Sequence, residues 1–157
     1  YGVPDSLDGR FELIALHTFL ILHRLKTADD AEAGALGQAL VDGLFADMDA
    51  SLREMGAGDL GVGPKVKQMA QAFYGRIAAY EAGLDTRGPA LAAALRRNLY
   101  GTAAPSPVQL DAMADYVRAC AGSLAGQTAG RLRQGEVSFA TPAAAPDGVL
   151  APVPAPR

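Results

Sequence analysis

Large apolar side chains recur at steps of three and four residues over most of the chain. Such steps run from residue 66 to residue 84, and from residue 36 to residue 52 every fourth residue is apolar. Because each residue of an α-helix turns the chain by about 100°, this spacing gathers the apolar side chains on one face. The pattern predicts amphipathic helices, and 32 Ala and 19 Leu against 9 Val and 3 Ile favour helix over sheet.

We predict an all-α fold, a single-domain bundle of five to six helices over residues 1–140. Its first helix, over residues 10–26 after a cap at Asp5 or Asp8, is apolar on almost every side. A helix of that kind either lies at the centre of a bundle or covers an apolar partner. It carries more apolar surface than the packing of a small bundle requires, so we expect part of this surface to hold a hydrophobic partner.

The second and third helices are separated by a glycine-rich stretch. The second helix is expected to follow capping residues at Thr27–Asp30 and to end near Met55, with Gly56 as a left-handed C-terminal cap. Residues 56–63 are then expected to form a loop. Pro64 is expected to open the third helix, because proline is favoured in the first helical turn.

Three later helices are marked by signals at their first residues. A short fourth helix follows Gly88–Pro89, a fifth begins with a capping box at Ser106–Gln109, and a weaker sixth covers residues 128–134. From residue 141 to residue 157 the composition changes, since half of the 10 prolines lie there among Ala and Gly. We predict that residues 141–157 are a disordered Pro/Ala-rich tail outside the helical domain.

The charge and the cysteine content exclude several classes of protein. A net charge of -3 argues against direct binding of nucleic acid, because phosphate contacts need a basic surface. The single Cys120 excludes an internal disulfide and a zinc site built from cysteines, and we expect it to be an inert core thiol. No apolar run reaches the roughly 20 residues of a membrane-spanning helix. Because the chain begins with Tyr1 rather than Met, we expect an upstream segment to have been removed.

Two short motifs that bind ligands in other proteins are better explained here by helix structure. Gly56–Gly61 matches G-x-G-x-x-G, but a dinucleotide site needs that string between a strand and a helix, and here a helix precedes it. Asp47 and Asp49 form a D-x-D pair, but residues two apart on a helix point to different sides. Asp49 instead suits an ion pair with Arg53. A polar pocket at the glycine loop would indicate a small enzyme or a ligand-binding bundle.

The two histidines, His17 and His23, do not form a catalytic or metal-binding pair. They lie six residues apart on one helix and therefore on different faces. No nucleophile accompanies either of them in the sequence, so we expect each to be a polar residue of a half-buried helix. We find no catalytic constellation and expect neither enzyme activity nor a cofactor.

Basic and aromatic residues of the third helix indicate a binding surface. Lys65 and Lys67 are expected in its first turn, where the helix dipole disfavours positive charge. They form a cationic spot for an acidic or phosphorylated partner, unless they are ordinary surface lysines. In the sequence Phe73–Arg76, Tyr74 points away from the core and Gly75 weakens the helix, which is typical of a close approach by another chain.

Two stretches of the sequence resemble a known family. Residues 44–84 read LFADMDASLREMGAGDLGVGPKVKQMAQAFYGRIAAYEAGL, and residues 8–26 read DGRFELIALHTFLILHRLK. They resemble the ubiquinol–cytochrome c chaperone family, in a form typical of its alphaproteobacterial members. The similarity covers residues 1–135 and is most specific in the motifs DMDASLREMGAGDL and KVKQMAQAFYGR.

The resemblance implies a non-catalytic assembly chaperone for ubiquinol–cytochrome c reductase, the respiratory complex III. Its client would be an apolar segment or loop of newly made cytochrome b, with a small second assembly factor as a further partner. It also implies contact with the inner membrane or the translating ribosome, and a place in the bacterial cytoplasm or at the cytoplasmic face of that membrane. The alternative is a helical protein-interaction module or peripheral membrane adaptor without a cytochrome b client, with its first helix and lysines on anionic lipid.

The family pattern assigns the partner-binding surface to the second and third helices. The expected partner-binding residues are Asp47, Asp49, Arg53, Glu54, Asp59, Lys65, Lys67, Phe73, Tyr74 and Arg76. The charged residues at positions 47, 49, 53 and 54 could equally form a structural ion network that holds the second helix to the third.

Overall fold

The computed structural model describes residues 1–28, 31–56, 58–86, 88–101 and 103–144. These residues form helices and connecting segments without a strand, which confirms the all-α prediction. The six helices, in chain order, are α1 (Leu7–Lys26), α2 (Ala31–Glu54), α3 (Asp59–Asp85), α4 (Ala90–Asn98), α5 (Pro107–Ala125) and α6 (Ala129–Arg133).

Helix α1 lies at the centre of the bundle. It packs against α2, α3 and α5, while α4 joins α3 to α5 on the far side. The side chains of Leu16, Phe19 and Leu20 are at most 1% exposed. Of the two explanations for an apolar first helix, a central position therefore accounts for most of its apolar surface.

Helix α1 begins three residues earlier than predicted, and its N-cap is Ser6 rather than either aspartate. The Ser6 hydroxyl accepts a hydrogen bond from the backbone N–H of Gly9 at 3.1 Å. Asp5 instead forms an ion pair with Arg10, with Oδ1 and Nε 2.6 Å apart. The backbone of Pro4 lies close to the first turn of α1. A Cβ at Gly9 would lie 2.1 Å from the carbonyl oxygen of Pro4, so only glycine fits there.

Helix α3 begins at Asp59, so the predicted loop over residues 56–63 is wrong from that residue onward, and Pro64 lies inside the helix. Gly56 does have the predicted left-handed conformation, with φ of 87°. The extra turns of helix bury Val62, which is 0% exposed. Burial of a valine side chain contributes about 1.5–3 kcal/mol, enough to offset the low helix propensity of the glycines around it.

The signals that start and end the later helices act as predicted. Ser106 and Gln109 form a reciprocal capping box, with Pro at the start of α5. The Thr128 hydroxyl accepts from the backbone N–H of Arg131 at 3.3 Å and caps α6. The sequence did not reveal the contact at Gly83, where a Cβ would lie 2.7 Å from the Cα of Leu91. Helices α3 and α4 therefore pack backbone against backbone at that point.

After α6 the chain runs back across α5 and α1 without forming a helix. Gln127 ties this segment down, because its side-chain oxygen accepts from the N–H of Ser138 at 2.9 Å. The ring of Phe139 lies edge-on to His17, with centroids 4.8 Å apart. The Tyr1 hydroxyl donates to the carbonyl of Ala143 at 3.1 Å. Residues 145–157 of the predicted tail, and the predicted capping residues 29 and 30, lie outside the described residues.

Within the described residues, no helix is both long enough and apolar enough to cross a membrane.

Candidate functional site

The two lysines of α3 are exposed, but they do not lie in its first turn. Because α3 begins at Asp59, Lys65 is its seventh residue and Lys67 its ninth. The field of a helix dipole falls off within the first turn, so the argument from the dipole does not apply to them. Two residues apart on a helix, they point about 160° away from each other. They are two separate charges rather than one cationic spot.

Tyr74 is the accessible aromatic residue of this region, and Phe73 is its support. The Phe73 side chain is 0% exposed and packs nearly perpendicular to Phe45 of α2, with centroids 5.8 Å apart. The Tyr74 ring lies 5.9 Å from the Phe73 ring and is 54% exposed. No heavy atom outside the local helix lies within 4 Å of a Cβ built at Gly75, so the helix surface beside Tyr74 is open.

Arg76 is engaged with an acid of α1 that the sequence did not indicate. Its Nε donates to Oε2 of Glu12 at 2.7 Å, and its Nη2 donates to the other carboxylate oxygen. Both side chains are largely buried, at 19% and 11% exposure. Burial raises the pKa of Glu12, and the hydrogen bonds from Arg76 act in the opposite direction. The pair ties α3 to α1, so Arg76 supports the fold rather than presenting a free charge.

The three acids of α2 that were expected to bind a partner fall into two groups. Asp49 pairs with Arg53 one turn later, with Oδ2 and Nε 2.6 Å apart, as the sequence predicted. This ion pair lies within α2 and does not itself hold α2 to α3. Asp47 and Glu54 are exposed and make no ion pair with any described residue. The side chain of Asp59 lies outside the described residues, although its backbone begins α3.

Histidine and cysteine take structural positions. His17 Nδ1 lies 2.7 Å from the carbonyl of Leu13 and therefore donates, which leaves Nε2 to accept from the Tyr116 hydroxyl at 2.8 Å. Cys120 is a free, fully buried thiol, as predicted. In the described part of the chain no group of three or more His, Cys, Asp or Glu side chains could hold a metal ion.

An exposed apolar strip on α1 was not among the predicted site residues. Leu7 and Ile14 are 63% and 48% exposed, and Phe11 and Ile21 beside them are half-buried. Positions 7, 14 and 21 are seven residues apart, so they lie on one helical face. The spacing of seven residues can be read from the sequence. It does not single out these positions there, because α1 is apolar on its other faces as well. We call these four residues the α1 strip.

This chain is similar to known proteins both in sequence and in structure. The family model described as Ubiquinol-cytochrome C chaperone matches residues 1–139. The ubiquinol-cytochrome-c reductase complex assembly factor 1 of Xenopus laevis is 29% identical over 118 residues, which are 74% of this chain and 58% of that protein. Its Mus musculus namesake is 27% identical over 117 residues, 74% of this chain and 39% of that protein.

The chain thus spans 58% or less of the length of these two relatives. A solved structure is also similar, the crystal structure of the Cbp3 homologue from Brucella abortus. Its TM-score is 0.77 and its sequence identity 40%, over 88% of this chain and 76% of that chain. The similarity therefore extends over most of the helical bundle.

Proposed function

The chain belongs to the ubiquinol–cytochrome c chaperone family, and we propose from this membership that it is a non-catalytic chaperone for the assembly of ubiquinol–cytochrome c reductase. The observation that carries the proposal is the match of the family model over residues 1–139, which includes all six helices. The two animal relatives are named assembly factors of the same reductase complex, a name that describes no catalyst.

We further propose that the client is newly made cytochrome b, held through an apolar segment or loop. The support in this chain is that its surface exposes both apolar and charged groups, namely the α1 strip, Tyr74 and the unpaired acids of α2. A chaperone for a membrane subunit needs such a surface, because its client exposes apolar side chains before it is inserted. We place the complex in the bacterial cytoplasm, at the cytoplasmic face of the inner membrane, with a small second assembly factor as a further partner.

Among the residues expected to bind a partner, the accessible ones are the candidates for direct contact. These are Asp47, Glu54, Lys65, Lys67 and Tyr74, all of which are exposed. Phe73 and Arg76 act by positioning α3, since one is fully buried and the other is bonded to α1.

The proposal is tested by removing the gene from its host. We expect a loss of assembled ubiquinol–cytochrome c reductase, measured as haem b absorbance and as reductase activity in membranes. Cytochrome c oxidase activity serves as the control, because an effect on the reductase alone separates an assembly role from general damage to the membrane. Normal reductase levels in the deletion strain would refute the assembly function.

A second experiment addresses the client. Affinity-tagged chain is purified from cells whose translation has been stopped briefly, and cytochrome b is sought in the eluate. Tyr74→Ala is expected to lower the yield of cytochrome b, whereas Val108→Ala, which removes a 60% exposed side chain on α5, leaves it unchanged. Recovery of other reductase subunits without cytochrome b would contradict the choice of client but not the assembly role.

The adaptor alternative predicts binding to anionic lipid without a client. The two lysines it would use point away from each other, so they cannot both face a flat bilayer. Flotation with vesicles that contain phosphatidylglycerol decides between the two functions. A chaperone stays in the unbound fraction, and an adaptor floats with the vesicles.

A further inference from the structure

The α1 strip lies next to a flank of α2 that is half-buried at Leu36 and Leu40 and exposed at Asp47 and Glu54. Ala15 of α1 packs in one cluster with Val41 and Leu44 of α2, and a Cβ at Gly37 would touch Leu22 at 3.4 Å. These contacts show that α1 and α2 pack antiparallel to each other. The α1 strip lies beside the interface between the two helices.

Ile14 follows Glu12 by two residues and Asp47 follows Phe45 by two, and because Glu12 and Phe45 contact α3, Ile14 and Asp47 both face away from α3. We call the α1 strip and this flank of α2 together the α1–α2 groove.

The flank of α2 that borders this groove changes character along its length. Leu36 and Leu40 are half-buried, and Asp47 and Glu54 follow on the same helical face, since the steps of 4, 7 and 7 residues all return to it. The antiparallel register brings the two leucines level with Ile21. It brings the two acids level with the first half of α1, where the strip is most exposed.

The charge of the groove points to the chemistry of its occupant. Helix α2 carries five carboxylates and one guanidinium, so it is strongly acidic. At the open end of the groove Asp47 and Glu54 have no basic partner among the described residues. At the other end Glu32 is paired with Arg133 of α6, so the chain itself supplies a cation there. The acids at positions 47 and 54 are therefore the charges left to be matched by a partner.

We propose that the α1–α2 groove receives a basic amphipathic helix of the client, with its apolar side on Leu7 and Ile14 and its Lys or Arg side chains beside Asp47 and Glu54. A basic helix is favoured over an anionic bilayer, because the carboxylates that border the apolar strip repel anionic lipid. It is favoured over a second copy of the same groove, since two such grooves face to face would bring two acidic α2 helices together. The inference rests on the proposed function only in identifying the partner as the client.

The charge requirement is tested with synthetic peptides and the full chain. The probe is a labelled helical peptide with a leucine face and lysines at one end, and the matched probe has glutamate in place of lysine. We expect the lysine peptide to bind at least several-fold more tightly, with an affinity that falls as salt is raised. Equal binding of both peptides would overturn the proposal.

Two variants locate the binding site. The double substitution Asp47→Asn with Glu54→Gln is expected to weaken the lysine peptide about threefold to tenfold and to flatten its salt dependence. Asp85→Asn with Asp111→Asn removes the same charge from exposed acids elsewhere and is expected to leave the affinity unchanged. If both double variants weaken binding equally, the effect is one of net charge and the groove is not the site.

The apolar contribution is tested with Ile14→Ser, which is expected to weaken the lysine peptide about fivefold. Unchanged circular dichroism shows that the variant is folded. Flotation of the wild-type chain with phosphatidylglycerol vesicles, lost in Ile14→Ser, would assign the groove to lipid and overturn the proposal. So would self-association in sedimentation experiments that the lysine peptide reverses.

Failure of this inference can be told apart from failure of the proposed function. The Asn/Gln double variant is returned to the deletion strain, and reductase assembly is measured. If the variant has lost peptide binding but restores normal assembly, the groove is not the client site and the assembly function stands. If the deletion strain assembles the reductase normally, the assembly function fails, while the peptide measurements still decide the chemistry of the groove.

Discussion

The ion pair between Glu12 and Arg76 gives the most sharply defined prediction for the stability of the bundle. Replacement of Arg76 by Met keeps most of the side-chain volume but leaves the Glu12 carboxylate, 11% exposed, without its guanidinium. Removal of one partner from a buried pair costs about 3–5 kcal/mol. Some water reaches Arg76, which is 19% exposed, so we expect a loss near the lower end of that range at about pH 7.

Protonation of Glu12 limits this loss and makes it depend on pH. A carboxyl group with an ordinary pKa of 4.5 is kept neutral at a cost of about 1.4 kcal/mol for each pH unit above that value. At about pH 7 the loss of unfolding free energy caused by Arg76→Met therefore has an upper bound of roughly 3.4 kcal/mol. Near pH 4.5 this upper bound approaches zero. The unfolding free energy of Arg76→Met should thus fall, relative to the wild type, as the pH rises.

The sign of the wild-type contribution follows from the same linkage. Because burial raises the pKa of Glu12, the folded state holds a proton just above pH 4.5 that the unfolded chain has already released. Stability therefore decreases with rising pH through the window between the unfolded and the folded pKa. The substitution Glu12→Gln is expected to remove this decrease.

Urea unfolding followed by circular dichroism measures all of these variants. Arg10→Met is the control, because Arg10 also donates from Nε to a carboxylate, that of Asp5 at 2.6 Å, but the two side chains are 70% and 71% exposed, and we expect little change there. The double variant Glu12→Gln with Arg76→Met should be more stable than Arg76→Met alone at about pH 7, since it no longer buries a lone charge. A penalty for Arg76→Met that is equal at low and neutral pH, or a double variant no better than the single one, would refute the reasoning.

Three further predictions concern packing and caps, and urea unfolding measures each of them. Gly83→Ala is expected to destabilise the fold by about 1–3 kcal/mol, because its Cβ would lie 2.7 Å from the Cα of Leu91, whereas Gly75→Ala, in open space on the same helix, should stabilise it by up to about 1 kcal/mol. Ser106→Ala removes half of a capping box and should cost about 1 kcal/mol, and a variant as stable as the wild type would show that the box is not needed. Val62→Ala should cost about 2 kcal/mol or more if the first turns of α3 belong to the folded core, and less than about 0.5 kcal/mol if residues 59–63 behave as a loop.

Features of the fold that depend on local chemistry could be predicted from the sequence, and those that depend on distant contacts could not. The capping box at Ser106 and the left-handed Gly56 are properties of a few neighbouring residues, and both are present. The start of α3 was predicted wrongly, because Pro64 and the glycines before it favour a loop, while burial of Val62 favours a helix. Local propensity differs by about 1 kcal/mol per residue, which burial of one large side chain can outweigh.

The candidate site shows the same limit more strongly. The motifs DMDASLREMGAGDL and KVKQMAQAFYGR led to the correct family, which the match over residues 1–139 confirms. They did not distinguish side chains that face a partner from those that hold the bundle together. The partner of Arg76 is Glu12, 64 residues away, and no pattern along the chain reports a contact at that distance.

The central position of α1 changes which of its apolar residues can serve function. Helices α2, α3 and α5 cover most of its circumference, and the C-terminal segment covers His17 through Phe139. What stays accessible is the α1 strip, and the unpaired acids Asp47 and Glu54 are exposed on the flank of α2 that lies on the same side of the helix pair. A purely apolar surface would bind any unfolded chain or a second copy of the protein, whereas carboxylates at its edge select segments that carry positive charge. The selectivity of such a chaperone would then depend on the acids of α2, and its binding strength would depend on the apolar residues of α1. Substitutions in α2 should therefore change mainly the salt dependence of binding, and substitutions in α1 mainly the affinity.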